Sequence, residues 1–151
     1  MARRTGAEAQ RAQPEKRLFW FLISKGYRTY LLLPLFFRHY VPAVGHNAPA
    51  EWKRLLDQAA HEKFGAAYDP VCGLVRFPRS QGHLRRELAQ IPVSRHDDPH
   101  VRFFKERNPD FALGVELACL TEVTLENTHG LGRRWLGRAL RETQLAATSP
   151  A

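Results

Sequence analysis

The sequence contains little cysteine. Cys72 and Cys119 are the two cysteines among 151 residues, and they lie far apart. They show neither the number typical of a disulfide framework nor the close pairing typical of a zinc site. We therefore interpret both as small core residues and exclude the disulfide-rich and cysteine-zinc classes of protein.

The sequence also lacks an uninterrupted apolar run. Its most apolar stretch, Leu18 to Pro42, is broken by the segment Ser24 to Thr29, which contains Lys25 and Arg28. A spanning helix needs about 20 mostly apolar residues, so we expect no membrane span. Residues 1–17 carry charge without the apolar core of a secretory signal. They predict a disordered basic tail on a cytoplasmic protein.

Acidic residues are outnumbered by basic ones. There are 23 Lys and Arg against 15 Asp and Glu, which gives a formal net charge of +8. Such an excess favours an anionic partner such as nucleic acid, phosphate or an acidic membrane surface. The basic residues are spread over the whole chain, however, and no known nucleic-acid-binding motif is present. An ordinary arginine-rich surface explains the same composition.

The apolar pattern predicts one α/β domain over residues 18–142, followed by a disordered tail over residues 143–151. We expect a small central sheet of about three or more strands, flanked by helices, in the order β-α-α-β-α-α-β-α. The predicted strands are Leu18 to Ile23, Gly73 to Phe77 and Val115 to Thr121. The predicted helices include Pro49 to Gly65, a short one around Leu84 and Leu88, Pro99 to Arg107, and a last one around Leu131 to Leu140.

The helix after the first strand is apolar on every side. Tyr30, Leu33, Phe37 and Tyr40 share one helical face, but the residues between them are apolar too. Such a helix must be covered on more than one side, either within its own chain or by another molecule. Pro34 should bend or break it.

The segment Arg95 to His100 admits two interpretations. Its two imidazoles and two carboxylates could ligate a divalent metal. Asp98 followed by Pro99 is also the pattern of a helix cap with proline at the first position. Capping explains most of the pattern, so we assign no metal site.

Three segments together resemble a known family. They are "YRTYLLLPLFF" from Tyr27 to Phe37, "YVP" from Tyr40 to Pro42, and "YDPVCGLVR" from Tyr68 to Arg76. They are similar to the C-terminal half of GNAT-superfamily acyltransferases, in which a strand beside the cofactor is followed by a tyrosine-bearing helix. The resemblance covers about Leu18 to Leu140 and implies the second half of a GNAT domain.

The resemblance implies acyl-CoA as cofactor and N-acyl transfer as reaction. By position, Tyr30 would be the general acid toward the departing thiolate, with Tyr27 as the alternative. Ser24 and Lys25 would lie at the end of the cofactor strand and contact acyl-CoA. An ordinary core tyrosine and an ordinary turn account for the same residues.

The chain departs from the family at the pyrophosphate loop. No Q/R-x-x-G-x-G/A motif follows a central strand, and Gly130 and Gly132, which come after the last strand, are typical of capping or close packing. We therefore expect an acyltransferase half-domain with little or no activity of its own. Its first strand should have an open edge, which favours self-association or pairing with a complementary chain.

The alternative function is a non-catalytic basic protein that acts as an interaction subunit or binds nucleic acid without sequence specificity. The last helix carries the residues for it. Arg133, Arg134, Arg138 and Arg141 form a broad basic face, and an apolar side contains Leu131, Trp135, Leu136, Ala139 and Leu140. Whether the chain is an enzyme stays open at the level of sequence.

Overall fold

One antiparallel sheet of four strands organises the chain. The computed structural model describes residues 16–45, 48–79 and 82–148. The strands are β1 (Phe19–Ser24), β2 (Tyr68–Asp69), β3 (Leu74–Val75) and β4 (Glu116–Glu122). The helices are α1 (Tyr27–Tyr30), α2 (Leu32–Phe36), α3 (Ala50–Phe64), α4 (Arg86–Ala89), α5 (Pro99–Arg107) and α6 (Gly130–Thr148). The predicted α/β class, a small sheet flanked by helices, is confirmed.

Strand β4 lies inside the sheet, although it is the last strand of the sequence. The order is β1-β4-β3-β2, and every neighbouring pair is antiparallel. Phe19 lies opposite Glu122 and Ser24 opposite Leu117, while Leu117 also faces Leu74 of β3. Within the described residues, β1 therefore forms one edge of the sheet.

The two faces of the sheet bury separate apolar clusters because successive side chains of a strand point to opposite sides. On one face, Leu117 and Cys119 of β4 pack with Tyr30, Leu33 and Phe104. On the other face, α3 covers the sheet. The buried residues of that second cluster are Trp52, Leu56, Ala60, Tyr68, Val75, Ala118 and Leu120.

The predicted bent helix is two short helices that meet at Leu31. Pro34 has no N–H to donate to the carbonyl oxygen of Tyr30, and its ring crowds that oxygen. A continuous helix is therefore interrupted between Tyr30 and Leu32. The backbone is extended at Phe37. Tyr30, Leu33, Phe37 and Tyr40 are nevertheless all buried. The shared apolar face was thus a correct sign of burial, even though its last two residues are not helical.

Two further elements differ from the sequence-based expectation. Strand β2 was not predicted, because it has only two residues, Tyr68 and Asp69, which pair with Val75 and Leu74 of β3. Helix α6 continues to Thr148, past residue 142 where the domain was expected to end.

Residues 1–15 of the expected basic tail lie outside the described residues. No helix in the described part of the chain has both the length and the apolar character needed to cross a bilayer.

Helix α5 begins and ends where its sequence predicts. The Asp98 carboxylate accepts hydrogen bonds from the backbone N–H of His100 at 2.9 Å and of Val101 at 3.4 Å. Pro99 occupies the first turn, where a missing N–H is harmless. The helix ends at Arg107, and buried Asn108 follows it.

Replacing the cap should weaken the fold measurably. We expect Asp98→Ala to lower the free energy of unfolding by about 1 kcal/mol, since two helical N–H groups lose their acceptor. Urea unfolding followed by circular dichroism measures the change. Asp97→Ala removes the neighbouring, exposed carboxylate and serves as control. Equal effects of the two substitutions would contradict the capping role.

Candidate functional site

The four residues that the family resemblance singles out lie together where β1 ends and α1 begins. Ser24 is fully buried, and its hydroxyl lies 3.9 Å from the thiol of Cys119. The ammonium group of Lys25 lies 3.5 Å from the carboxylate of Glu116 and 3.4 Å from the carbonyl oxygen of Gly82. Both polar groups thus already have partners within the chain.

Tyr30 lies in the apolar core. Its hydroxyl donates a 2.8 Å hydrogen bond to the carbonyl oxygen of Pro42, and its ring packs against those of Tyr40, Phe103 and Phe104. Burial raises the pKa of Tyr30 far above its ordinary value. Tyr27 is also buried, and its hydroxyl accepts a 3.3 Å hydrogen bond from Arg28. The catalytic roles of Tyr30 and Tyr27 stay predictions.

A large groove lies elsewhere, between the start of β1 and helix α6. Its volume is about 1210 Å³. Leu18, which precedes β1, and Phe19 and Trp20 of β1 form one wall, and α6 forms the other. The remaining lining residues are Phe36, Phe37, Val123, Thr128, Leu131, Gly132, Arg133, Arg134, Trp135, Leu136, Arg138 and Arg141. An apolar cleft with a few charged groups at its rim is the usual form of a binding site.

The loop before α6 fixes where the helix begins. The side chain of Asn127 accepts a hydrogen bond from the N–H of His39 and donates to the carbonyl oxygens of His39 and Glu122. Two residues later, the N–H of His129 donates to the carbonyl oxygen of Phe36. Gly130, with φ of +51°, then turns the chain into the helix.

Helix α6 approaches α2 closely at Gly132. A methyl group added at Gly132 would lie 2.7 Å from the carbonyl oxygen of Phe36, so only glycine fits this contact. Beyond it, Leu136 and Ala139 are half-buried on the same side of the helix. The helix thus contacts the body through one narrow stripe.

The rest of the apolar face of α6 is exposed. The side chain of Trp135 is 71% exposed and that of Leu131 is 59% exposed. The sequence predicted these two residues on the same side of the helix as Leu136 and Ala139, and their exposure was not anticipated. The signal was present in the width of the apolar face, which exceeds what one stripe of contact can cover.

Arginines surround this apolar surface. Arg133 donates to the carbonyl oxygen of Leu125 at 3.2 Å, and Arg138 pairs with Glu142 at 3.1 Å. No carboxylate of the described residues pairs with Arg134 or Arg141. None of the described residues that line the groove is acidic. The groove is therefore apolar on its walls and positive at its rim.

Strand β1 borders the groove and has one free edge within the described residues. The N–H of Val123 donates to the carbonyl oxygen of Leu18. Because backbone bonding alternates along an antiparallel strand, Trp20 and Leu22 also direct their backbone groups toward β4. Phe19, Phe21 and Ile23 direct theirs outward, where another strand could pair with them.

Three other features of the sequence offer less capacity for binding or catalysis than the groove. In the described part of the chain, no three acidic, cysteine or histidine side chains converge as metal ligands, the segment Arg95 to His100 included. The thiol of Cys119 is fully buried, and this burial raises its pKa to about 12. Arg17, assigned by sequence to the tail, instead pairs with Glu51 and Glu122 and holds the first strand at its start.

No protein-family model, curated protein or solved structure matches this chain. The family resemblance therefore stays a prediction, and the function has to be argued from the groove and its surroundings.

Removing the hydroxyl of Tyr30 tests its structural role. We expect Tyr30→Phe to lower the free energy of unfolding by about 1–3 kcal/mol, because the carbonyl oxygen of Pro42 loses its donor in a buried setting. Tyr27→Phe, which removes only a contact with Arg28, should cost less. Unfolding in urea compares the two. Unchanged stability of Tyr30→Phe together with loss of acyl transfer would instead support the general-acid role.

Two glycines of α6 should respond in opposite directions. We expect Gly132→Ala to destabilise by about 1–3 kcal/mol, because the added methyl group overlaps the backbone of Phe36. Gly137→Ala meets only the flexible ends of Arg141 and Leu125, at 3.5 and 3.9 Å. Its higher helix propensity should stabilise by roughly 0.5–1 kcal/mol. Thermal and urea unfolding measure both. A stabilising Gly132→Ala would show that α6 does not dock at Phe36.

Proposed function

We propose that this chain is a non-catalytic interaction subunit, and that a partner polypeptide binds in the groove between β1 and α6. The observation that carries the proposal is Trp135, a large apolar side chain left 71% exposed beside an apolar cleft. The remainder of the site supports the same function.

Burying the exposed apolar side chains against a partner would make binding more favourable. Burying a Leu or an aromatic side chain contributes roughly 1.5–3 kcal/mol. Leu131 and Trp135 on α6 and Leu18 on the opposite wall are each more than half exposed. A segment lying between the two walls would remove all three side chains from water at once.

Helix α6 itself needs such a partner. It has 19 residues and is therefore about 28 Å long. Its contact with the body runs from Gly132 to the half-buried Ala139, while Arg138 and residues 140–144 are exposed. A helical segment without tertiary packing is only marginally stable in water. A bound polypeptide would supply packing along the second half of the helix.

The open edge of β1 offers a second mode of attachment beside the groove. Outward-facing backbone groups at Phe19, Phe21 and Ile23 can pair with an added strand, a common way for one chain to bind another. The groove and the edge share Phe19 as a border. One partner can therefore engage both.

A second candidate function is the GNAT-like acyl-CoA-dependent half-domain. It is favoured by the position of β1 at the sheet edge, since a second half of such a domain should expose its first strand. Under this proposal the partner polypeptide supplies the complementary strands and the pyrophosphate loop. Ser24 and Lys25 would then contact acyl-CoA at the end of β1, and Tyr30 or Tyr27, both buried here, would act as general acid once its core contacts open.

A site-specific cross-link tests the interaction function. We expect a photoreactive phenylalanine analogue in place of Trp135 or Leu18 to yield one adduct of defined mass in the cells that naturally make the protein. The same analogue at Leu113, which is 63% exposed and is not among the groove-lining residues, is the matched control and should yield none. Mass spectrometry identifies the adduct.

The outcomes separate the two candidate functions. Absence of adducts at both groove positions, or equal adducts at all three, would contradict docking in the groove. Calorimetric titration with acetyl-CoA tests the acyltransferase proposal. Acetyl-CoA binding that requires the identified partner and is lost in Lys25→Ala would support the half-domain hypothesis.

A further inference from the structure

Three arginines on α6 form a row with the spacing of helical turns. Arg134, Arg138 and Arg141 stand at positions i, i+4 and i+7, so they share one side of the helix. From Arg134 to Arg141 the row is about 10 Å long at 1.5 Å per residue. Leu131 and Trp135, also one turn apart, lie next to this row.

The arginine row and the apolar pair Leu131 and Trp135 together indicate what kind of partner surface would be complementary to α6. We propose that the occupant of the groove is an acidic amphipathic helix of a partner protein, whose apolar stripe packs on Leu131 and Trp135 and whose carboxylates face Arg134 and Arg141. This inference rests on the proposed function and adds the chemistry of the partner. In paired helices, flanking charges of opposite sign select the partner in this way.

Charge argues against a second copy of the chain in the groove. The occupant would have to bring carboxylates to the rim, and no described groove-lining residue is acidic. Packing α6 of one copy against α6 of another would place arginines near arginines, which disfavours association. A partner of opposite charge meets no such repulsion.

The shape of the site argues against a flat lipid surface or a duplex. Leu131 and Trp135 of α6 line the groove together with Trp20 and Phe36, so they belong to a concave site. A planar membrane surface cannot enter a cleft, whereas a helix about 10 Å across can lie in one. Phosphates would satisfy the arginines but would leave Leu131 and Trp135 without apolar contacts.

An unbiased peptide selection tests the inference. Random peptides of about 16 residues, enough for four helical turns, are displayed on phage and selected on the full-length chain. We expect the enriched peptides to carry apolar residues at i, i+4 and i+7, with Asp or Glu beside them. Increasing salt should weaken their binding, because exposed charge pairs are screened.

A charge swap makes the test specific. Arg134→Glu/Arg141→Glu should bind the selected peptides about tenfold more weakly or worse, since attraction becomes repulsion at two positions. Versions of the same peptides with Lys in place of Asp and Glu should bind this double variant better than the native chain. The control Arg54→Glu/Arg102→Glu changes the net charge equally, at exposed positions of α3 and α5 outside the groove lining, and should leave binding unchanged.

Each other outcome overturns a defined statement. If no peptide is enriched over a Leu131→Asp variant, docking in the groove is wrong and the proposed function fails. If peptides require Leu131 but show no acidic preference and ignore the charge swap, the function stands and the acidic partner is wrong. Anionic vesicles and single-stranded oligonucleotides are measured in parallel. Tighter binding of either, with the same dependence on Arg134 and Arg141, would replace the acidic helix as the occupant.

Discussion

The position of the groove depends on the side chain of Asn127. This amide is buried, accepts a hydrogen bond from the N–H of His39 at 2.9 Å and donates to the carbonyl oxygens of His39 and Glu122 at 3.0 and 2.7 Å. Its nitrogen also lies 3.0 Å from the hydroxyl oxygen of Thr121. It thereby connects the chain after α2, the end of β4 and the start of α6. A buried polar network with its partners in place specifies one geometry, because any other arrangement would leave costly unpaired groups. The groove-lining segments around Phe37 and Val123 are thereby held close to the start of α6.

The elements predicted best from the sequence are those that depend on residues close together along the chain. The cap at Asp98, the apolar run of β1 and the stop of α3 at Gly65 are local signals, and each element appears close to its expected bounds. Strand β2 depends on pairing with β3 across a turn, and two residues carry too little pattern to indicate it. The groove depends on where α6 docks, which is set by the contact between Gly132 and Phe36, far apart in sequence. The apolar and basic faces of α6 were visible in advance, but which part of the apolar face would stay exposed was not.

The two candidate sites differ in burial, and this difference decides which of them can act without a structural change. In this conformation the hydroxyl of Tyr30 is bound to the carbonyl oxygen of Pro42, and its raised pKa reflects removal from water. Proton donation by Tyr30 to a substrate would require this contact to open. The groove needs no such rearrangement, since Trp135 and Arg134 are already exposed. Binding chemistry is therefore available on the surface, while the acid chemistry implied by the family resemblance depends on a change in the core.

Ion pairs offset part of the basic excess, and on α6 the positive charge that is not offset lies beside exposed apolar side chains. On the body of the protein, three arginines have acidic neighbours: Arg17 meets Glu51 and Glu122, Arg76 meets Asp110, and Arg95 meets Asp98. These pairs are exposed and contribute little to stability, but they offset charge locally. On α6, Glu142 offsets Arg138, whereas Arg134 and Arg141 have no carboxylate partner among the described residues. Positive charge that is not offset, beside apolar side chains that are not covered, is the physical basis of the proposed preference for an acidic helix over a second copy of α6.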